Sequence, residues 1–450
     1  MTLGGRAPRP SCQQTFGRLR PEPKTGLSAE LLAHDPVLPQ REAILRPALV
    51  AERLSGLLGV GEPLPVRGCH VARVNYQPGN SLRVVYELAV PGPPLIVAVR
   101  AFPSGRSDKS ARAYAEAAAT AVDRGGVRGV AHDPELNAVF WTFPNDRRLT
   151  RLARVWCAPG TLAWRLGHAW SRSRLVAYAP ERSAMLECLG PAEEILGYAK
   201  ACTRDADTRQ VAVYDALGRS LPADDPHLRL PRLIAYAPEE QLLLFEPIAG
   251  DRFADHAAAD RAPSLSRLGS ALARLHAVPF ATGRRFARFD LDQLAQAANA
   301  LGLVRPDVAP LAEALVTRIA ARLATDDTRP VLLHGDVHLN NVILTDERIA
   351  LVDLEDAAIG PPAADVASLL AVLRYQRYVG LISSAQERQD GEAFLAGYAA
   401  VRPLPAPTTL AWYTAAALLV ERALGAVHRL RSQGLQHLDA LLADATTLVS

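Results

Sequence analysis

The sequence predicts an α+β fold in which a small antiparallel sheet with one helix occurs twice and is followed by a mostly helical half. Three observations predict it: an internal repeat, helical periodicity in the second half, and one strand pair among those helices. The 450 residues, 49% of them hydrophobic and 22% charged, suffice for about two to three domains with buried cores.

The internal repeat is visible as two pairs of similar stretches in the first half. Residues 130–149 align without gaps with residues 234–253, and residues 71–88 resemble residues 173–189. In each copy the pattern predicts a β-hairpin, a third apolar strand, an Ala-rich helix and two further strands. We therefore expect the same sheet-and-helix unit twice.

The third strand of each unit carries one informative cation. Residues 94–102 include Arg100 in the first unit, and residues 194–202 include Lys200 in the second. The chain has only three lysines against 47 arginines. A compact ammonium group and a planar guanidinium group are not interchangeable in a binding site, so Lys200 is a candidate functional residue.

The predicted domain boundaries follow from this pattern and from composition. Residues 1–40 are rich in Pro, Arg, Gly and Ser and lack the apolar core of a secretory signal, so a disordered tail is expected. The first unit is assigned to 41–165, the second to 166–250 and the helical region to 251–450.

Helical periodicity dominates residues 251–450. Apolar residues recur at i, i+3 and i+4 spacing in 265–276, 309–323 and 410–430. Short apolar strands are predicted between these helices at Val331–Leu333, Val342–Leu344 and Ile349–Leu354.

Charge, hydropathy and cysteine usage exclude several classes of protein. A net charge of +3 is too small to indicate a nucleic-acid binder. The most apolar stretch, 410–419, ends at Glu421 and Arg422 and is too short to predict a membrane span. The five cysteines include no C-x-x-C pair, which favours a reducing, cytoplasmic location without disulfides or a thiolate zinc site.

Polar residues interrupt the strand pair in a pattern that packing does not require. Asp336 follows the first strand, Asn341 lies five residues later, and Asp353 ends the last strand. Phosphoryl transfer needs a carboxylate that orients the acceptor hydroxyl and oxygen ligands for magnesium. We expect Asp336 to be the base, with His334 orienting the loop by hydrogen bonds and His338 lying near the substrate.

The two segments HGDVHLNN and IALVDLEDAAIGPPAADVASLL, with the helix that ends at His276, resemble the aminoglycoside phosphotransferase family of small-molecule kinases. The resemblance covers roughly residues 170–450 and implies a bilobal, protein-kinase-like fold that uses ATP and Mg²⁺. Asp336 matches the family's catalytic aspartate, Asn341 and Asp353 its magnesium ligands, and Asp365 a structural aspartate.

The resemblance makes the second unit the nucleotide-binding small lobe. Lys200 would contact the α- and β-phosphates, and the hinge at 244–250 would contact adenine through Glu246 and Ile248. No G-x-G-x-x-G lies between the first two strands of this unit, so phosphate binding by this loop is expected to depend on its backbone or on Arg182.

The roles of the remaining site residues are predicted from their positions in the sequence. The role of the first unit is predicted from its likeness to the second unit. The helix after Lys200 offers no Glu, so Asp215 is proposed as its charge partner, and Glu355 is placed near substrate or magnesium. The first unit has Arg100 in place of the lysine and no catalytic loop. It is interpreted as a degenerate small lobe that forms an N-terminal cap.

The sequence thus predicts a MgATP-dependent phosphotransferase that acts on a hydroxyl group of a small molecule. A sugar or amino sugar is favoured because arginines balance the acidic residues after position 374. Two alternatives stay open: a regulatory pseudokinase, and a metallohydrolase in which His334, Asp336 and His338 alternate on a strand and bind a transition metal. No oligomeric state is predicted.

Overall fold

A computed structural model describes residues 29–105, 107–162, 169–255, 261–279, 284–323, 326, 328–345 and 348–450. The predicted α+β class is confirmed, because two five-stranded antiparallel sheets precede a mostly helical region. Most of the predicted tail (residues 1–28) and the predicted boundary between the two units near residue 165 lie outside the described residues.

The first unit contains three helices and one sheet. Its strands lie in the order β1-β2-β3-β5-β4, and every neighbouring pair is antiparallel. The elements are α1 (Arg41–Ile44), α2 (Pro47–Leu58), β1 (Gly68–Gln77), β2 (Ser81–Ala89), β3 (Leu95–Ala101), α3 (Ser107–Ala118), β4 (Val130–Asp133) and β5 (Ala138–Thr142).

The second unit repeats this connectivity. Its sheet has the order β6-β7-β8-β11-β10, which is the order of the first sheet when the strands of each sheet are counted along the chain and β9 is left out. Helix α4 (Leu152–Cys157) lies between the two sheets in the sequence, and the elements of the second unit are β6 (Arg172–Ala179), β7 (Ser183–Leu189), β8 (Ile195–Cys202), α5 (Arg204–Ser220), β9 (Leu228–Arg229), β10 (Leu233–Ala237) and β11 (Leu242–Phe245). Strand β9 joins another sheet.

One buried aspartate fixes the first hairpin of each unit in the same way. Asp35 accepts hydrogen bonds from the Tyr76 hydroxyl (2.7 Å) and the Gly79 amide (2.9 Å). Asp146 accepts the equivalent bonds from the Tyr178 hydroxyl (2.7 Å) and the Glu181 amide (2.9 Å). A buried carboxylate must be hydrogen-bonded, so each aspartate ties the turn of a hairpin to the chain that precedes its sheet.

Residues 29–40, the described part of the predicted tail, are ordered. Residues 29–40 include a 3₁₀ turn at Ala29–Leu31, and both Leu38 and Asp35 are fully buried. A composition rich in proline suggested disorder, but the hydrogen bonds of Asp35 and the packing of Leu38 order this segment.

The helical region surrounds short strands that carry the polar motif. Strands β14 and β15 form an antiparallel hairpin, and β13 pairs with β16. The elements are β12 (Asp251–Arg252), α6 (Arg261–His276), α7 (Leu291–Val304), α8 (Ala309–Leu323), β13 (Val331–Leu333), β14 (Val342–Leu344), β15 (Ile349–Leu351), β16 (Ala358–Gly360), α9 (Pro362–Tyr378), α10 (Ser384–Ala399), α11 (Pro407–Ala417), α12 (Leu424–Arg429), α13 (Ser432–Gln436) and α14 (Leu438–Leu448).

The first sheet is buried on both faces. One face packs with the second sheet in a shared core that contains Val85 and Trp141 from the first unit and Leu186 and Leu244 from the second. The opposite face, which includes Val84, belongs to the core of the helical region. Burying a large apolar side chain stabilises a fold by roughly 1.5–3 kcal/mol, so the first unit is an integral part of this core.

The 407–429 helical stretch has the length and apolar composition of a membrane-crossing helix, and 61% of its most apolar window is buried inside the protein. Its middle turn, Leu418–Ala423, is π-helical. Buried core helices have the same composition, so a single helix of this kind is weak support for a membrane span.

Candidate active site

The loop after β13 is anchored by Asp365, in the first turn of α9. Its carboxylate accepts the backbone amides of His334 (2.7 Å) and Gly335 (3.0 Å). His276, at the end of α6, contacts the same carboxylate at 3.1 Å and the Tyr398 hydroxyl at 2.8 Å. This buried network fixes the backbone immediately before Asp336.

Gly335 is required by the contact between this loop and the segment after β15. Its φ is +79°, and a Cβ there would lie 2.1 Å from the Asp356 carbonyl oxygen. A side chain therefore cannot be accommodated without moving the backbone. The loop and the Glu355–Asp356 segment are consequently held in direct contact.

We expect Gly335→Ala to damage both stability and activity. The matched control is Gly380→Ala, because Gly380 also has positive φ (+74°) but a Cβ added there would meet no atom within 4 Å. Backbone strain in the control should lower the free energy of unfolding by about 1–2 kcal/mol, and Gly335→Ala should lower it by about 3 kcal/mol or more. Displacement of the loop should also lower kcat by about 10²-fold. Urea unfolding and kinetics test this, and equal effects of both variants would contradict it.

His334 is fully buried and contacts backbone groups. Its Nε2 lies 3.0 Å from the Val352 carbonyl oxygen, and the Asp336 amide lies 3.4 Å from its Nδ1. The first contact joins the loop to the segment that carries Asp353, and the second lies within the loop. This geometry suits the orienting role expected from the sequence and leaves proton transfer to Asp336.

Asp336 is partly exposed and contacts two basic groups. Its carboxylate lies 3.1 Å from Arg288 Nη1 and 3.5 Å from His338 Nε2. Burial alone would raise the pKa of Asp336, but His338, Arg288 and His334 outweigh it and hold the pKa well below the usual range. The carboxylate is therefore ionised at neutral pH.

Arg288, which the sequence did not single out, joins three acidic residues at this point. Its guanidinium contacts Asp336 (3.1 Å), Glu421 (3.0 Å) and Asp356 (3.0 Å). Glu421 lies in the π-helical turn and also accepts a hydrogen bond from Ser368. Arg288 was not identifiable among 47 arginines because nothing in its local sequence indicates which acids it meets.

Asn341 and Asp353 lie on either side of the β14–β15 hairpin, and each contacts another site residue. Asn341 donates its side-chain amide to the Asp336 carbonyl oxygen at 3.1 Å. Asp353 has left-handed backbone angles (φ 65°, ψ 59°), and its carboxylate contacts Lys200 at 2.7 Å. One carboxylate and one amide oxygen suit Mg²⁺, which takes few protein ligands and completes its shell with phosphates and water.

His334, Asp336 and His338 do not have the arrangement that a transition-metal site of a metallohydrolase requires. Strand β13 ends at Leu333, so His334, Asp336 and His338 lie on a loop and do not alternate along one strand face. His334 Nε2 faces the Val352 carbonyl oxygen. Within the described residues, no group of three or more His, Cys, Asp or Glu side chains is arranged to hold a metal ion.

Lys200 is buried between the two lobes and contacts two acidic residues. Its ammonium lies 2.7 Å from Asp353 Oδ1 and 2.8 Å from Glu355 Oε2. Burial alone would lower the pKa of Lys200, but the two carboxylates raise it above its usual value. Lys200 is therefore charged, with both partners supplied by the segment after β15.

The prediction that Asp215 is the partner of Lys200 is wrong. Asp215 is exposed on α5 and lines a separate cavity of about 550 Å³ together with Glu246. An acid on the helix after the lysine was expected because related folds place one there. In this chain the charge comes from across the cleft, and no local pattern indicates that.

Glu355 contacts two cations at the candidate site. It contacts Lys200 and also accepts a hydrogen bond from Arg182 at 2.7 Å. Glu355 thus bridges two cations, and its expected position near the substrate or magnesium stays a prediction. Arg182 lies at the turn of the β6–β7 hairpin, and its side chain is mostly exposed. Besides the contact with Glu355, it makes a longer contact with Asp356 at 3.8 Å.

The hinge predicted around Glu246 and Ile248 connects β11 to β12. The Glu246 amide donates to the Arg232 carbonyl oxygen at 3.0 Å, and its carboxylate lies 3.4 Å from both Arg229 and Arg232. Glu246 is therefore engaged within its own lobe. Ile248 is half-buried beside exposed Pro247 and Ala249, and the contact of this hinge with adenine stays a prediction.

The comparisons with known proteins agree with the resemblance found in the sequence. The APH family model, described as the phosphotransferase enzyme family, matches residues 203–404, which include the β14–β15 hairpin and the loop before it.

Three solved structures illustrate the likeness. Aminoglycoside phosphotransferase APH(3'')-Id from Streptomyces rimosus ATCC10970 is 22% identical, covering 56% of this chain and 94% of its own, with a TM-score of 0.41. A choline/ethanolamine kinase family protein from Mesorhizobium loti is 18% identical, with coverages of 67% and 94% and a TM-score of 0.44. Spectinomycin phosphotransferase APH(9)-Ia, in complex with ADP and spectinomycin, is 13% identical, with coverages of 64% and 97% and a TM-score of 0.45.

Similarities of this size carry no conclusion about activity, so the family match decides the assignment. The matched segment contains Asp336, Asn341, Asp353 and Asp365. Residues 203–404 are therefore similar to the phosphotransferase enzyme family, and this similarity includes all four motif residues.

Proposed function

We propose that this protein transfers the γ-phosphoryl group of MgATP to a hydroxyl group of a small molecule. The observation that carries the proposal is that the ionised carboxylate of Asp336, the side chains of Asn341 and Asp353 and the buried ammonium of Lys200 lie in one connected group of contacts. Asn341 contacts the loop of Asp336 (3.1 Å), and Lys200 contacts Asp353 (2.7 Å). Positioning and charge neutralisation of this kind account for most of the catalysis in phosphoryl transfer.

Each residue has a role in this mechanism. Asp336 accepts or orients the proton of the acceptor hydroxyl, and Arg288 keeps its carboxylate ionised and fixed. Lys200 holds the α- and β-phosphates, and Asn341 and Asp353 hold magnesium. When bound, Mg²⁺ neutralises phosphate charge. Lys200 and Asp353 contact each other directly, so the side chains that would hold phosphate and metal are neighbours.

The charges around Asp336 favour a neutral hydroxylated acceptor, such as a sugar, with amino sugars next. Glu421 pairs with Arg288 and Arg422, and Asp356 pairs with Arg288 and Arg284, so three arginines meet the three carboxylates of Asp336, Asp356 and Glu421. Their negative charge is already neutralised, so these acids do not form the acidic wall that a polycationic acceptor requires.

A panel of acceptors with MgATP tests the function and names the acceptor class. ADP release is measured with neutral sugars, amino sugars, aminoglycosides and amino alcohols, each with magnesium and with magnesium removed by chelation. We expect release that depends on both magnesium and one acceptor class, and the strongest release with a sugar. Phosphorylation of aminoglycosides without any reaction on sugars would contradict the acceptor assignment. MgATP binding without transfer to any acceptor would favour the pseudokinase.

A further inference from the structure

The turn of the β6–β7 hairpin is held by the first unit through Glu181. This residue has positive φ (+63°), and its side chain is only 3% exposed. Its Oε2 accepts hydrogen bonds from Arg83 (2.9 Å) and Arg100 (2.7 Å), and its Oε1 from Arg147 (2.8 and 2.5 Å). One buried carboxylate therefore joins three guanidinium groups, a strong and charge-assisted arrangement.

All three arginines come from the first unit. Arg83 on β2 and Arg100 on β3 are direct cross-strand partners, and Arg147 follows β5. Two adjacent guanidinium groups on one sheet face repel each other unless an anion lies between them. Glu181 supplies this anion, so the second unit completes the charge balance of the first.

Arg100 occupies the place in the first unit that Lys200 occupies in the second. Both lie on the third strand of their unit, and each is followed by an alanine that pairs with the second residue of the neighbouring strand. Ala101 pairs with Leu82 on β2, and Ala201 pairs with Ala184 on β7. In the second unit this position carries the proposed phosphate ligand. In the first unit the anion that the cation binds is the Glu181 carboxylate of this same chain.

The neighbouring residue connects the same turn to the catalytic cleft. Arg182 contacts Glu355 at 2.7 Å, and Glu355 contacts Lys200 at 2.8 Å. Glu181 and Arg182 thus face opposite directions, one toward the first unit and the other toward the nucleotide lysine. The Glu181 amide is also held by Asp146 at 2.9 Å, so both the backbone and the side chain of the turn are fixed.

We propose that the first unit is a clamp that holds the β6–β7 hairpin in position for nucleotide phosphates, with Glu181 as the positioning residue. The role of the hairpin in nucleotide binding rests on the proposed function, whereas the holding of the hairpin by the first unit rests on the Glu181 contacts alone. The β6–β7 turn lacks the glycines that would let its backbone approach phosphates closely. Contacts with the first unit instead hold the turn in one position relative to the nucleotide.

The test compares Glu181→Gln with Glu193→Gln. Glu193 is a matched control because it also has positive φ (+65°), lies in the turn at the other end of β7, and pairs with a single arginine, Arg172, while its side chain is 57% exposed. Amide hydrogen exchange of residues 181–183 reports the hairpin, and titration with MgATP reports the nucleotide site. We expect Glu181→Gln to speed exchange and weaken MgATP binding, each by about tenfold. Glu193→Gln should change neither.

A second variant keeps the test valid if Glu181→Gln does not fold. Arg83→Gln removes one guanidinium and leaves Arg100 and Arg147 on the carboxylate, so both effects should be smaller but in the same direction. Unchanged hairpin exchange in the folded variants would overturn the clamp. Faster exchange with unaltered MgATP affinity would overturn its role in nucleotide binding. Failure of the wild type to bind MgATP would contradict the proposed function instead, and hydrogen exchange would still decide whether Glu181 holds the hairpin.

Discussion

Replacing Asp336 with Asn should lower kcat by about 10²–10⁴-fold with little change in MgATP affinity. The amide has nearly the shape of the carboxylate but cannot accept the proton of an acceptor hydroxyl. The variant should fold, because Arg288 keeps its contacts with Glu421 and Asp356. Steady-state kinetics with the best acceptor and MgATP titration measure the two effects separately.

The matched control for this variant is Asp307→Asn. Asp307 is also paired with an arginine, Arg305, but its side chain is 58% exposed and lies outside the candidate site. We expect wild-type kinetics for the control. If Asp336→Asn also kept the wild-type kcat, Asp336 could not be the catalytic base, and the role assigned to the loop after β13 would be wrong.

Replacing Lys200 with Ala should weaken MgATP binding by about 10²-fold or more. The two proposed charge-assisted hydrogen bonds from Lys200 to the α- and β-phosphates would be lost, and each contributes roughly 1.5–3 kcal/mol to the binding free energy. Asp353 and Glu355 would also remain close together without the cation that now separates them. Lys200→Arg should restore the charge but only part of the affinity, because a planar guanidinium does not fit the position of a compact ammonium.

Lys109→Ala is the control for the lysine variant. Lys109 is exposed on α3 of the first unit, so its removal changes the net charge equally without touching the cleft. Isothermal titration with MgATP should give the wild-type affinity for Lys109→Ala. Equal affinities for Lys200→Ala and Lys109→Ala would contradict the assignment of Lys200 to the phosphates.

Local sequence patterns predicted the parts of the fold that depend on local periodicity. Strands β13 and β14 and helix α8 have the predicted bounds, and the third strands of both units lie where expected. Periodicity reports which side chains face a core, and these elements are short segments with one clear pattern. The order of strands in both sheets also follows the repeat that the sequence indicated.

The errors concern contacts between distant segments. The partners of Lys200 come from residues 353 and 355, more than a hundred positions away, whereas the expected partner lay on the adjacent helix. Arg288 was missed for the same reason, since its three acids lie on three separate segments. Spacing along the chain identifies a motif, but the fold alone decides which charges meet.

The predicted tail shows a second kind of error. Its composition indicated disorder up to residue 40, yet Asp35 is fully buried and fixes the first hairpin. The matching role of Asp146 in the second unit was equally invisible, because a single aspartate gives no periodic signal. The repeat was detected through its strands, and the hydrogen bonds that close each unit became visible only in three dimensions.

The central claim is that this cleft phosphorylates a small-molecule hydroxyl group. The most direct measurement is mass spectrometry of the best acceptor from the panel after incubation with MgATP and either wild-type protein or Asp336→Asn. We expect one added phosphoryl group with the wild type and at least about 10²-fold slower product formation with the variant. Equal rates of acceptor phosphorylation by the two proteins would contradict the claim.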